Sequence, residues 1–199
     1  MNIIILLVLL SLNSVSYGRS DAQVWSSAHK PTNSRAAHSI GKYTSGCLRG
    51  AATLPVNGQG YQVMRLSRNR NYGHPDLVRF IERLGQTAQT QRLGTILIGD
   101  MGMARGGPTL SGHRSHQSGL DADIWYLLSR DAKNRTLTAS ERETWGAPSV
   151  LNARETDMNP AQWSPANEQI LEAAARMPEV DRIFVNAVIK RQLCKDKRN

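Results

Sequence analysis

The sequence predicts an α+β fold, on two observations of pattern and one of size. Segments of helical period and short apolar runs of strand character both occur, without the regular alternation of a doubly wound sheet. No glycine fingerprint of the phosphate-binding kind joins a strand to a helix. The chain has 199 residues, enough for one domain, at most two, with a sizeable core.

The elements follow in order. Ile3 to Leu10 is continuously apolar, and small and polar residues lead to Ser16, Tyr17 and Gly18. This reads as a signal peptide over residues 1–18, cut after Gly18, although no Lys or Arg precedes the apolar run. A spanning helix needs roughly 20 apolar residues, about twice this run. No later segment is apolar enough to span a bilayer, so residues 19–199 are expected to form one soluble domain. Residues 19–60 are rich in Ser, Thr, Gly, Asn and Pro and read as an irregular arm. A helix follows His74: Pro75 suits its first position, Asp76 suits the positive end of the dipole, and Leu77, Ile81, Leu84 and Ala88 recur on one face. Thr95 to Asp100 reads as a buried strand, and residues 101–119 as a glycine-rich loop. Leu120 to Leu127 reads as a second strand. Thr138 and Glu141 form a capping box for a short helix. Ser164 and Pro165 start another helix, with Ile170, Leu171, Ala174 and Met177 as its apolar face and Pro178 as its stop. Arg182 to Asn186 reads as a third strand, and Val188, Ile189 and Leu193 as a last helix.

Composition is that of a globular protein, with 40% hydrophobic and 21% charged residues. Net charge is +9 and the pI about 10.1. That balance suits an acidic partner, whether nucleic acid, an anionic membrane surface or an anionic cell-wall polymer. Nucleic acid is disfavoured, because the Lys and Arg residues are scattered rather than interleaved with stacking aromatics and because the chain carries an export signal. Nor is a membrane expected as partner once the signal is removed. The two cysteines, Cys47 and Cys194, are compatible with one disulfide in an exported protein.

Chemistry concentrates in residues 112–124. His113, His116, Asp121 and Asp123 fall within that stretch, in a chain with five histidines in all. On a strand, Leu120, Ala122 and Ile124 would share the core face and the two aspartates the opposite one. Neighbouring carboxylates repel unless a cation or donor offsets them. A turn at Gly119 can bring the His116 imidazole back beside that face. Histidine with aspartate suits zinc, which takes nitrogen and oxygen ligands at roughly 2.0–2.2 Å. The same pair also serves as a hydrogen-bonded loop anchor, and residue types alone leave both readings open.

The string SGHRSHQSGLDADIW resembles the signature of penicillin-insensitive murein endopeptidases. NYGHPDLV at 71–78, IGDMGMARGGP at 98–108 and RIFVNAVIKRQLC at 182–194 are similar to flanking stretches of that family. The resemblance spans most of residues 40–194. It implies a small antiparallel sheet with flanking helices and long loops, and a zinc ion on one face of that sheet. It places His116 and Asp123 at the family's HxxxxxxD ligand positions and His113 at a further metal-associated position. Asp121 has no assigned ligand role: it either orients a ligand or is solvated. The resemblance also implies a periplasmic enzyme that uses zinc to hydrolyse the D-alanyl–meso-diaminopimelyl cross-links of peptidoglycan. No serine nucleophile is required, hence the insensitivity to penicillin. Arg105, in a glycine-rich loop, is a candidate forked donor to a substrate carboxylate.

One departure from the family stands out. The family completes its site with a downstream HxH motif, one histidine binding the metal and the other handling a proton. In this sequence no histidine follows His116. The resemblance therefore implies a domain that is C-terminally incomplete, lacking the zinc-bearing strand and the general base, with Cys47 and Cys194 deprived of family partners. The alternative function is a non-catalytic peptidoglycan-binding or decayed family member. His29 and His38 read as surface residues, and His74 as either cleft lining or loop packing.

Overall fold

The computed structural model describes residues 18–110, 114–129, 135–147 and 149–195, with only the backbone over 126–129. The elements in chain order are helix α1 (Asp21–Ser26), strands β1 (His38–Lys42), β2 (Ser45–Arg49), β3 (Ala52–Thr53), β4 (Asn57–Gly58) and β5 (Tyr61–Val63). A 3-10 turn at Leu66–Arg68 leads to β6 (Tyr72–Gly73), α2 (Pro75–Thr90), β7 (Thr95–Ile98) and β8 (Ile124–Ser129). Three helices follow, α3 (Ala139–Thr144), α4 (Pro165–Ala175) and α5 (Ala187–Lys195). The fold is α+β, as expected.

The principal sheet runs β4-β5-β7-β8. Every pairing in it is antiparallel except β5 with β7, which is parallel, so the sheet is mixed. β7 is buried along its whole length and its side chains divide by parity. Ile96 and Ile98 enter one core with Leu77, Ile81, Leu84 and Ala88 of α2, and Ile170 and Ala174 of α4 complete that layer. Leu97 points the other way, into a smaller core with Met64 and Leu137 against Trp125 and Trp145. A third cluster, Val150, Leu151, Val188 and Ile189, seats α5.

α2 starts where the sequence indicates. His74 is its N-cap, with Nδ1 accepting from the Asp76 amide. Gly85 lies mid-helix, where glycine ordinarily weakens a helix. A Cβ there would lie 2.5 Å from the Gln59 carbonyl oxygen, so its absence is what lets α2 approach β5 closely. The capping boxes of α3 and α4 are both present.

Three expectations are corrected. Residues 19–60 are not an irregular arm, because they form α1, the β1–β2 hairpin and two short strands. β1 shows no apolar alternation, being mostly exposed, so its sequence carries no strand signal. The second strand begins at Ile124, not Leu120, since the chain turns through Gly119 at φ +70° and Leu120 is exposed to solvent instead of entering the core. Arg182–Asn186 pairs with no strand among the described residues, and Phe184 is 79% exposed. Cys47 on β2 and Cys194 on α5 are not joined by a disulfide. Residues 1–17, which hold nearly all of the expected signal peptide, lie outside the described residues.

Candidate functional site

The loop from Arg114 to Asp123 is held from three sides. The β1–β2 turn docks on it through Gln117: the Gln117 side-chain amide donates to the carbonyls of Thr44 and Arg114, and its Oε1 accepts from the Gly46 amide. The Ser39 hydroxyl donates to the Ser118 carbonyl. From the glycine-rich loop, the Gly107 amide donates to the Gln117 carbonyl, and the His74 amide donates to the Gly119 carbonyl. At Gly119 a side chain would be doubly excluded, by the positive φ and by Leu48 Cδ2 at 2.4 Å from a built Cβ.

This packing buries His116 to 2% exposure and holds its backbone left-handed at φ +67°. A non-glycine residue persists there only when its surroundings over-determine it, which marks functional positions more often than chance. Asp121 is one cause. Its Oδ1 and Oδ2 accept from the His116 amide at 3.2 and 3.1 Å, and Oδ2 also lies 2.7 Å from Nδ1 of the ring. Asp123 approaches the other nitrogen, with Oδ2 3.5 Å from Nε2.

The two aspartates therefore do not lie side by side on a strand face, as the alternation argument expected. They flank one imidazole from its opposite nitrogens, and the ring offsets their repulsion. Burial opposes the charge on His116, but hydrogen bonds to Asp121 and then to Asp123 outweigh it and raise its pKa to about 10. In the metal-free protein the two carboxylates thus favour a proton on the ring, which a metal ion at Nε2 would have to displace.

Metal fit can be judged from the same distance. Two ligands bound at 2.0–2.2 Å to a tetrahedral zinc stand about 3.3–3.6 Å apart. The 3.5 Å between His116 Nε2 and Asp123 Oδ2 lies in that range. Asp121 is on the far side of the ring and cannot join them, but bonding to Nδ1 is how outer carboxylates orient metal-binding histidines. Among the described residues no group of three or more His, Cys, Asp or Glu converges on one point. His113, the further expected ligand, lies outside them.

The remaining candidates are scattered. Arg105 is exposed, and its Nε donates to the Lys30 carbonyl. His74 serves as the cap of α2, with Nδ1 3.3 Å from Asp76, so loop packing is the role seen. A concavity of about 370 Å³ lies at the opposite end of β5 and β7, between Asn57, Gln59, Arg92 and Arg135, and contains none of the candidate residues. Asp121 is the participant that sequence reasoning left unassigned. The chain reversal at Gly119 was the available signal, because it turns residue 121 back towards residue 116.

Comparison with known proteins identifies the family. A family described as penicillin-insensitive murein endopeptidase matches residues 39–199. Relatives carrying that name occur in Klebsiella pneumoniae strain 342, 42% identical over 194 residues (98% of this chain, 68% of the relative), and in Haemophilus influenzae Rd, 39% identical over 198 residues (98% and 66%). One in Salmonella paratyphi C is 44% identical over 169 residues, covering 81% of this chain and 57% of the relative. The chain thus spans about two thirds of the length of the fuller-matching relatives.

Proposed function

Because the chain belongs to the penicillin-insensitive murein endopeptidase family, we propose that it acts on peptidoglycan in the periplasm as a zinc-dependent endopeptidase, cutting D-alanyl–meso-diaminopimelyl cross-links. The observation that carries the zinc reading is the 3.5 Å approach of Asp123 to His116 Nε2. His116 and Asp123 would hold the ion, with His113 as a further ligand. When bound, zinc would polarise the scissile carbonyl and acidify a water molecule.

The protein groups have separable tasks. Asp121 takes the Nδ1 hydrogen and so leaves the Nε2 lone pair for the metal side. The left-handed backbone at His116 and the turn at Gly119 shape the loop that brings His116 and Asp123 within 3.5 Å of each other. Arg105 supplies a forked, permanently charged donor suited to a stem-peptide carboxylate. Among the described residues no helix is long and apolar enough to cross a membrane.

A second reading, a non-catalytic peptidoglycan binder or decayed relative, is favoured by one observation. Among the described residues only two candidate ligands converge, whereas catalytic zinc ordinarily has three protein ligands and a water. Metal analysis after dialysis, paired with digestion of cross-linked muropeptides, separates the two. The enzyme reading expects one zinc per chain, cleaved cross-links, and loss of both in His116→Ala and Asp123→Ala. Retention on peptidoglycan without cleavage supports the binder. Zinc retained in full by both variants would sink the assignment of the site.

A further inference from the structure

Asp100 lies just beyond β7 and is 3% exposed. Its Oδ2 takes two guanidiniums, Arg68 Nη1 and Arg70 Nη1, each at 2.8 Å. The Arg70 side chain is buried with it, while that of Arg68 is 42% exposed. Removing the Asp100 and Arg70 charges from water carries a cost of several kcal/mol per buried ion, and apolar packing would serve stability as well or better. Such a cluster needs a reason beyond holding the fold together.

The backbone supplies one. The Gly99 amide donates to the Asp123 carbonyl at 2.7 Å, and the Asp123 amide donates to the Asp100 carbonyl at 2.8 Å. Two residues beyond the end of β7 thus clasp one residue before β8, the two-against-one pattern of a bulge, which re-aims a side chain next to a site. The Met101 amide donates to the Arg70 carbonyl, so the segment carrying both arginines is tied to the same stretch of backbone. Ala122 and Ile124, on either side of Asp123, pack against the main core, while the Asp123 backbone itself is bonded to Gly99 and Asp100, and the Asp100 carboxylate is held by the arginines.

We infer that Asp100, clamped by Arg70 and Arg68, is a positioning residue that fixes the Asp123 carboxylate opposite His116. The metal part of this inference rests on the zinc reading above, whereas the positioning part does not. Two measurements keep them apart. The first is amide hydrogen exchange in the metal-free protein. In Asp100→Asn the amides of Gly99 and Asp123 are expected to exchange at least tenfold faster than in the parent, with Ile96 and Leu97 unchanged. A purely structural role would speed all four together. The second is zinc affinity by chelator competition, expected to fall about tenfold, at the low end of the effect of outer-shell partners.

Unchanged protection at Gly99 and Asp123, or uniform acceleration along β7, overturns the inference. Altered protection with undiminished zinc affinity overturns its metal part. A parent that takes up no zinc overturns the zinc reading, and the exchange measurement still decides the positioning role. Should Asp100→Asn not fold, Arg68→Gln, made at the half-exposed partner, answers the same questions with about a threefold effect expected in each.

Discussion

Asp121 acts on His116 twice, through the backbone amide and through Nδ1. The first contact stabilises a left-handed residue, and the second selects the proton's place on the ring. Asp121→Asn keeps the shape but removes the charge. Zinc affinity is then expected to drop about tenfold, measured by chelator competition. A pH signature accompanies it in the metal-free protein. A histidine whose folded pKa is raised contributes stability that is complete below its ordinary value of 6.5 and is lost as pH rises through about 10. Melting temperatures of the parent should therefore fall between those two values more than those of Asp121→Asn, in which the Nδ1 carboxylate is gone. Identical pH profiles for the two proteins would show that this carboxylate does not hold the imidazolium.

At the scale of elements, α3 is six residues long, and one of its side chains ties it to the sheet. Arg142 is 2% exposed, and among the described residues its hydrogen-bond acceptors are neutral oxygens: the carbonyls of Leu137, Val63 and Val56, the Asn57 side chain and Gln62 Oε1. Burial lowers its pKa. It thereby pins α3 to β4 and β5. Replacing it with Leu leaves these acceptors unsatisfied and should cost about 3 kcal/mol, seen as a melting temperature lower by roughly 6–12 °C. The sequence disclosed α3 through its capping box but not this pin, because a buried arginine reads like any surface charge. α2 and β7 were legible for a simple reason: their burial follows the period of the element, and local pattern carries it. β1 and β2 were not, because their register is set by contacts to Gln117 and Ser118 some seventy residues away. Arg182–Asn186 shows the converse. β propensity is present but among the described residues no neighbouring strand meets it, and propensity without a partner makes no strand. At the site, the pairing of His116 with Asp123 was readable from spacing and resemblance. The role of Asp121 was not, since period-2 alternation fails where the chain reverses at Gly119.

For the whole molecule, the proposed function gives charge and site independent parts in engaging a cell wall. A net charge of +9 gives long-range attraction to an anionic polymer that is screened over about 10 Å at 0.1 M salt. The pair formed by His116 and Asp123 is local and partly buried, so salt screens it far less. Co-sedimentation with insoluble peptidoglycan should therefore weaken several-fold between about 0.05 and 0.5 M salt, by the same factor in the parent and in His116→Ala. Any metal-dependent cutting should vanish in His116→Ala at every salt concentration. If sedimentation were indifferent to salt, the basic surface would play no part in recruitment. If the histidine variant alone lost its salt-dependent retention, attraction and chemistry would reside in one place, contrary to the division of labour that the scattered Lys and Arg residues and the buried His116 imply.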